Sequence, residues 1–263
     1  MHGLWITPRR PTCRTAGAHS LKQQSLRRQP IDGGLRDVAA TDSYVAFSQA
    51  PENQVLVTNL DGGVVASPVT AGGPAGVALD STMAYVANVN DGRVQSVRIS
   101  NGATSDLVPS SGGLKPAFVA VSVDHLYYGG TAPTSFVRGT GLGVTYNYSA
   151  TPSEALRDVQ AYARRGCWLT FKTIRCEASG ADLVVVSNES DLRRFAVDSS
   201  GFYFSRKGST VATATISRCP LSGCNATSPP FTLANATDPI GVAVDAQYVY
   251  WADQNGGIWR TPK

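Results

Sequence analysis

Side chains that commonly carry out chemistry are scarce in this sequence. Its 263 residues include four glutamates (Glu52, Glu154, Glu177 and Glu189) and three histidines, and His2 and His19 fall within the first twenty positions. A carboxylate cage for a metal would therefore have to come from scattered aspartates. A general base that titrates near neutrality has one candidate beyond the N-terminal stretch, His125. Long apolar runs are also missing: no window approaches the roughly 18 residues of a membrane helix. Acidic residues are absent from positions 1–30, which hold Arg9, Arg10, Arg14, Lys22, Arg27 and Arg28. Subtracting these six from the chain's 23 basic residues leaves 17 against 19 acidic ones, a net charge of −2 beyond residue 30. A surface built to grip phosphates carries the opposite excess, so nucleic acid is excluded as a partner.

What the chain does have is 26 glycines and 15 prolines, with 42% hydrophobic and 16% charged residues, a balance suited to a turn-rich β protein. It also repeats itself. An apolar run ending near Asp, a short gap and an aromatic-rich run recur as Gly76–Asp80 with Ala84–Ala87, Phe195–Asp198 with Phe202–Phe204, and Val242–Asp245 with Val249–Trp251. Weaker copies complete six. Anchored on Val38, Val77, Val119, Val159, Phe195 and Val242, the spacings are 39, 42, 40, 36 and 47, and eight residues beyond the anchors stand Ala46, Tyr85, Tyr127, Cys167, Tyr203 and Tyr250. A fixed internal offset within a variable period is what short strands joined by elastic loops produce.

Each unit also carries a third strand before a Gly turn and a fourth, outer strand. Four antiparallel strands per unit and six units in series predict an all-β, six-bladed β-propeller. Residues 1–22 are expected to be a basic tail. Residues 23–263 are expected to form one domain with blades near 35–73, 74–115, 116–155, 156–190, 191–238 and 239–263. The last unit reaches Lys263 after its third strand, and an unpaired strand edge is costly. Arg28–Leu35 echoes Ser67–Pro74, so residues near 23–31 are expected to supply the missing outer strand and close the ring.

Val242–Asp253, reading AVD then VYW, resembles the YWTD and NHL-like class of six-bladed propellers. Together with Arg218–Cys224 (RCPLSGC) it is similar to a set of exported bacterial repeat proteins. The resemblance implies this fold and export, and it carries no catalytic residues, because the shared motif is structural.

Cys219 and Cys224 flank a Pro-Leu-Ser-Gly turn, and Cys167 faces Cys176 across the Phe171-Lys172 turn. Both pairs lie within disulfide reach. With Cys13 left over, they favour an oxidising compartment, periplasmic or extracellular, with an export signal missing from this stretch; a cytoplasmic setting is the alternative. Neither pair has the spacing of a zinc site. Arg98, Arg138, Arg175, Arg218 and Arg260 recur before the third-strand turn and are expected to pack their stems and pair with carboxylates. Asp80, Asp198 and Asp245 are expected to satisfy backbone donors at tight turns rather than to catalyse. His125 is expected at a turn on the face opposite the usual propeller site.

A ligand would meet the loops between second and third strands at one mouth of the channel. These hold Asn88, Asn90 and Asp91; Thr131; Lys172; Arg206 and Lys207; and Asp253, Gln254 and Asn255. The expectation is a monomeric binding or scaffold propeller without cofactor or metal, recognising a protein, a cell-envelope component or a glycan. The alternative is a metal-dependent lactonase- or lyase-like propeller.

Overall fold

The computed structural model describes residues 35–263 except 71, 111–112, 133–134, 142–143, 149–153, 179–180, 188, 209–212 and 255. Cys13 and the expected closing segment lie outside the described residues. The described chain is all strand and turn, with no helix long and apolar enough to cross a membrane. Blade one is β1 (Leu35–Ala40), β2 (Tyr44–Gln49), β3 (Gln54–Asn59) and β4 (Val64–Ala66). Blade two is β5 (Pro74–Leu79), β6 (Met83–Asn88), β7 (Arg93–Arg98) and β8 (Thr104–Val108). Blade three follows as β9 (Lys115–Ser122), β10 (His125–Ala132), β11 (Phe136–Gly141) and β12 (Val144–Tyr148). Blade four comprises β13 (Asp158–Tyr162), β14 (Arg165–Leu169), β15 (Ile174–Ala178) and β16 (Ala181–Val186). Blade five comprises β17 (Leu192–Asp198), β18 (Gly201–Arg206), β19 (Thr215–Cys219) and β20 (Phe231–Asn235). Blade six adds β21 (Pro239–Val244), β22 (Tyr248–Asp253) and β23 (Ile258–Pro262). Each sheet is an antiparallel meander, four-stranded in blades one to five and three-stranded in blade six among the described residues. The protein is a six-bladed β-propeller.

The repeat phrase explains how blades pack. Residues seven and nine beyond an anchor turn to the preceding blade, and residue eight turns to the following one. Phe202 and Phe204 thus join Leu169 and Val186 between blades four and five, whereas Tyr203 joins Val249 and Trp251 between blades five and six. Equivalent apolar cores lie between blades one and two, two and three, and three and four. Strands covered on both faces read as continuous apolar runs for this reason. Tyr127 reaches furthest, donating its hydroxyl proton to the Arg164 carbonyl of the next blade at 2.5 Å. It crosses directly over Gly166, where a Cβ would come within 2.2 Å of the ring.

The aspartates at strand ends do what tight turns require. Asp80 Oδ1 accepts the Thr82 and Met83 amides, and its other oxygen accepts the Tyr85 hydroxyl at 2.6 Å. Asp245 repeats this with Gln247, Tyr248 and Tyr250. At Asp198, Ser200 intervenes between the carboxylate and Tyr203. The AVD…VYW phrase is therefore a carboxylate-capped turn latched by the tyrosine of the second strand. Partial burial works against all three charges, but these hydrogen bonds, led at Asp198 by the Lys263 ammonium on its Oδ2, outweigh it and hold the carboxyls below the ordinary aspartate range. Three of the five recurrent arginines lie over rings: Arg138 over Phe136, Arg218 over Tyr203 and Arg260 over Tyr248, at 5.9, 5.8 and 4.3 Å from the centroids.

Both disulfides form. Cys167 and Cys176 are cross-strand partners on β14 and β15, with Cα atoms 4.0 Å apart. Cys219–Cys224 closes the hairpin after β19, and the Cys224 amide donates to the Val185 carbonyl at 2.7 Å. That bond clasps blade five onto the outer strand of blade four. Small closed loops of this kind contribute about 2–3 kcal/mol each in the chain-entropy picture. Thiol titration of the denatured, unreduced protein should therefore find one thiol, Cys13, and five after reduction. Reduction should also lower the melting temperature.

Candidate functional site

The inner strands β1, β5, β9, β13, β17 and β21 line a central channel, and the residue before each anchor stands at the same level in its blade. Those residues are Asp37, Gly76, Phe118, Asp158, Arg194 and Gly241. Two carboxylates and one guanidinium thus stand at one level of the channel. A channel cavity of about 260 Å³ is lined by Asp37, Asp158, Phe118 and Gln160 with the β1, β5, β9 and β13 backbones. A second cavity of about 520 Å³ shares Asp37, Asp158 and Gln160 and extends past Arg194 and Tyr250 along the seam between blades six and one.

Each channel aspartate also ties its blade to the next. Asp37 Oδ2 accepts the Val77 amide at 2.9 Å, and Asp158 Oδ2 accepts the Phe195 amide at 3.4 Å. Burial raises the Asp37 carboxyl above its usual range, against the pull of the Val77 and Val38 amides and Arg194. Asp158 is pushed up to about 7, first by burial; the Asp37 charge adds to the rise, while Arg194 and the Phe195 and Val159 amides offset part of it. Arg194 forms no ion pair with either aspartate; its guanidinium donates to the Arg157 carbonyl at 2.5 Å.

Around the mouth, charges are matched locally. Asp191 holds Arg157 at 2.8 Å and Arg193 at 3.0 Å, and Glu189 holds Arg206 at 2.6 Å. Lys207 lies 3.8 Å from Asp238, and Glu154 accepts the Thr170 hydroxyl. The Arg157 guanidinium stacks 4.6 Å from the centroid of Phe171, a ring left 37% exposed at the β14–β15 turn.

The ten loop residues singled out from sequence do not converge on one point. Asn88 is buried inside β6 and donates to Gln95, in a network that continues through Asp106 to Arg93 and Asp91. Asn90 is exposed beside the cleft at Gly73 and Pro74. Thr131 lies within β10, not in a loop. Lys172 projects from the turn beside Phe171. Arg206 and Lys207 form the ion pairs just described. Asp253 is buried and accepts the Asp238 amide, while the Gln254 amide donates to the Asp238 carbonyl. Asn255 lies outside the described residues. His125 stands at the β9–β10 turn on the opposite face, 2.7 Å from Asp124 and stacked on Tyr127. Among the described residues, no three His, Cys, Asp or Glu side chains cluster as metal ligands would.

Asp37, Asp158 and Arg194 were the residues missed. The signal was present one place before the anchors, where three of the six inner strands carry a charge: Asp37, Asp158 and Arg194. Charge recurring at one level of the strands that line the channel marks a channel position.

No family model and no curated protein matches the sequence. Solved structures do match. A hydrazine synthase from Kuenenia stuttgartiensis superposes with a TM-score of 0.66 at 14% identity, over 89% of this chain and 77% of that one. A streptogramin B lyase superposes at 0.65 and 9% identity, over 88% and 83%. A chain of a nidogen/laminin complex superposes at 0.61 and 11% identity, over 81% and 86%. The likeness is one of fold. At such identities it places the chain among propellers and transfers no chemistry.

The two kinds of aspartate predict opposite pH responses. Asp158 holds its proton to about 7 when folded, against about 4 when unfolded. Its stabilisation is full below about pH 4 and is lost as the pH rises toward 7. The depressed Asp80, Asp198 and Asp245 stabilise above their unfolded range and lose that contribution on acidification. Asp158→Asn should flatten the fall in melting temperature between pH 5 and 8, while Asp245→Asn should flatten only the acid limb. Thermal scans across that pH range check both.

Proposed function

We propose that this chain is an exported, non-catalytic binding propeller that recognises a protein or cell-envelope component through the channel mouth at blades four and five. The observation that carries the reading is the locking of the mouth's charges to one another and to neighbouring blades. Asp191, Glu189, Asp238 and Glu154 are all engaged by side chains of the same rim. What the rim offers outward is a half-exposed Phe171 under Arg157, with Lys172 beside it. Aromatic and arginine side chains on a rigid, preorganised surface are the usual anchors of recognition. Two disulfides support an oxidising, exported setting.

One observation favours the enzymatic alternative of a lactonase- or lyase-like propeller. Asp158 faces the channel cavity with a carboxyl that titrates near neutrality, as a general acid or base should.

Co-sedimentation with an isolated cell-envelope fraction, run beside turnover assays on lactones and esters, separates the two readings. The binder reading expects saturable sedimentation that weakens about tenfold or more in the R157A/F171A double variant. It also expects D158N to bind as the parent does, with no turnover. Turnover that D158N abolishes, together with one tightly held Mg²⁺, Zn²⁺ or Ca²⁺ per chain, would overturn it.

A further inference from the structure

The ion pairs around the mouth of blades four and five share a bias in depth. The side chains of Asp191, Glu189 and Asp238 are 22%, 9% and 21% exposed, whereas those of Arg157, Arg193, Arg206 and Lys207 are 26%, 37%, 32% and 43% exposed. The carboxylates are recessed, and the cations lie outside them. Asp191, in a left-handed backbone (φ 53°), gives one carboxylate oxygen to Arg157 and the other to Arg193. Backbone bonds hold the patch together. The Lys207 amide donates to the Asp191 carbonyl, joining the end of β18 to the connector before β17, and the Leu192 amide donates to the Phe171 carbonyl of blade four, both at 3.0 Å.

Much of the hydrogen-bonding capacity of this patch is unspent. A guanidinium has five N–H donors. Arg193 and Arg206 each give one hydrogen bond to an acid, Asp191 and Glu189 respectively. Lys172, exposed beside Phe171, pairs with no acid among the described residues.

We propose that this patch takes a short acidic segment of a partner protein, an inference that rests on the reading of the rim as a recognition surface. Carboxylates of the segment meet the spare N–H groups of Arg193 and Arg206 and the ammonium groups of Lys172 and Lys207. An apolar side chain among them meets the Phe171 ring. A guanidinium fork matches a carboxylate in plane, and arginine with an exposed aromatic is typical of protein interfaces. The recessed acids hold the cations in place beforehand, so less side-chain freedom is lost on binding. The rest of the surface limits the length of the segment. Beyond residue 30 the chain carries a net charge of −2, so a long polyanion, whether glycan or nucleic acid, runs off the patch onto a surface that repels it. A short acidic segment meets the cations alone.

The test is fluorescence anisotropy of the full chain with a labelled oligoglutamate of about ten residues, run beside co-sedimentation with the envelope fraction. The peptide should bind saturably, about tenfold or more weaker at about 300 mM NaCl than at about 50 mM, and an oligoglutamine of equal length should not bind. Lys172→Gln, Arg193→Gln and Lys207→Gln together should weaken binding about tenfold or more in a protein that melts like the parent. Lys115→Gln, exposed at the mouth of blade three, should bind as the parent does. Salt-insensitive binding, equal affinity of the parent and the triple variant, or tighter binding of a sulfated polysaccharide than of the peptide would overturn the proposal. The salt series needs no variant, so it decides even where the triple variant does not fold. Sedimentation that R157A/F171A weakens but oligoglutamate leaves intact would refute the acidic segment and leave the rim reading standing. Oligoglutamate binding without sedimentation would refute the envelope as the source of the partner and uphold the acidic segment.

Discussion

Every sheet in this protein must have both of its faces covered, and a ring is how six small sheets satisfy that together. A small sheet gains stability by covering a hydrophobic face, and here every blade has apolar residues on more than one face to cover. Here, blades two to five each lend one face to the blade before and the other to the blade after. The alternation of residues seven, eight and nine beyond the anchors is this division of faces written in sequence. Five apolar cores join the six blades in series. Among the described residues, the sixth junction, between blades six and one, holds a cavity of about 520 Å³ where the other five hold a core. Val38, at the inner edge of that seam, is 58% exposed, whereas its counterparts Val77 and Phe195 are 4% and 1% exposed.

The fold was legible because the constraint repeats. A carboxylate that caps a turn, a tyrosine that latches it and apolar residues on both sides recur too regularly to belong to anything other than a ring of like sheets. The cysteine pairs were legible for a local reason: five- and nine-residue separations around a hairpin leave few alternatives. The candidate site was far less so. Asn88 and Asp253 look like mouth residues by position, yet they are buried in hydrogen bonds of their own blades. Polar residues near loops serve the scaffold as often as the surface, and composition does not separate the two. Asp37 and Asp158 were hidden by the anchor phrase itself, which draws attention to the apolar residue and away from its neighbour. Beneath Arg138, Arg218 and Arg260 lie rings of the adjacent strand or their own, a pairing that only strand register reveals.

Function and scaffold compete for the same charges around this channel. Asp158 ties blade four to blade five and lines the cavity, and the cost of burying its charge beside Asp37 appears as a carboxyl that stays protonated toward neutral pH. Arg194 moderates that cost without forming an ion pair. Toward the rim, many charges are paired with one another, and the exposed groups include an aromatic ring, its stacked arginine and a lysine. Desolvated charge within and an amphipathic anchor at the edge describe a mouth that presents a surface while its interior holds the ring together.

Native-state hydrogen exchange, resolved blade by blade, tests the central claim most directly. If stability passes from face to face around the ring, amides of β10, β14 and β18 should open only with global unfolding. Those of β1, β2, β22 and β23, beside the seam, should open at lower free energy. Equal protection in all six blades, or greatest protection at the seam, would contradict the account.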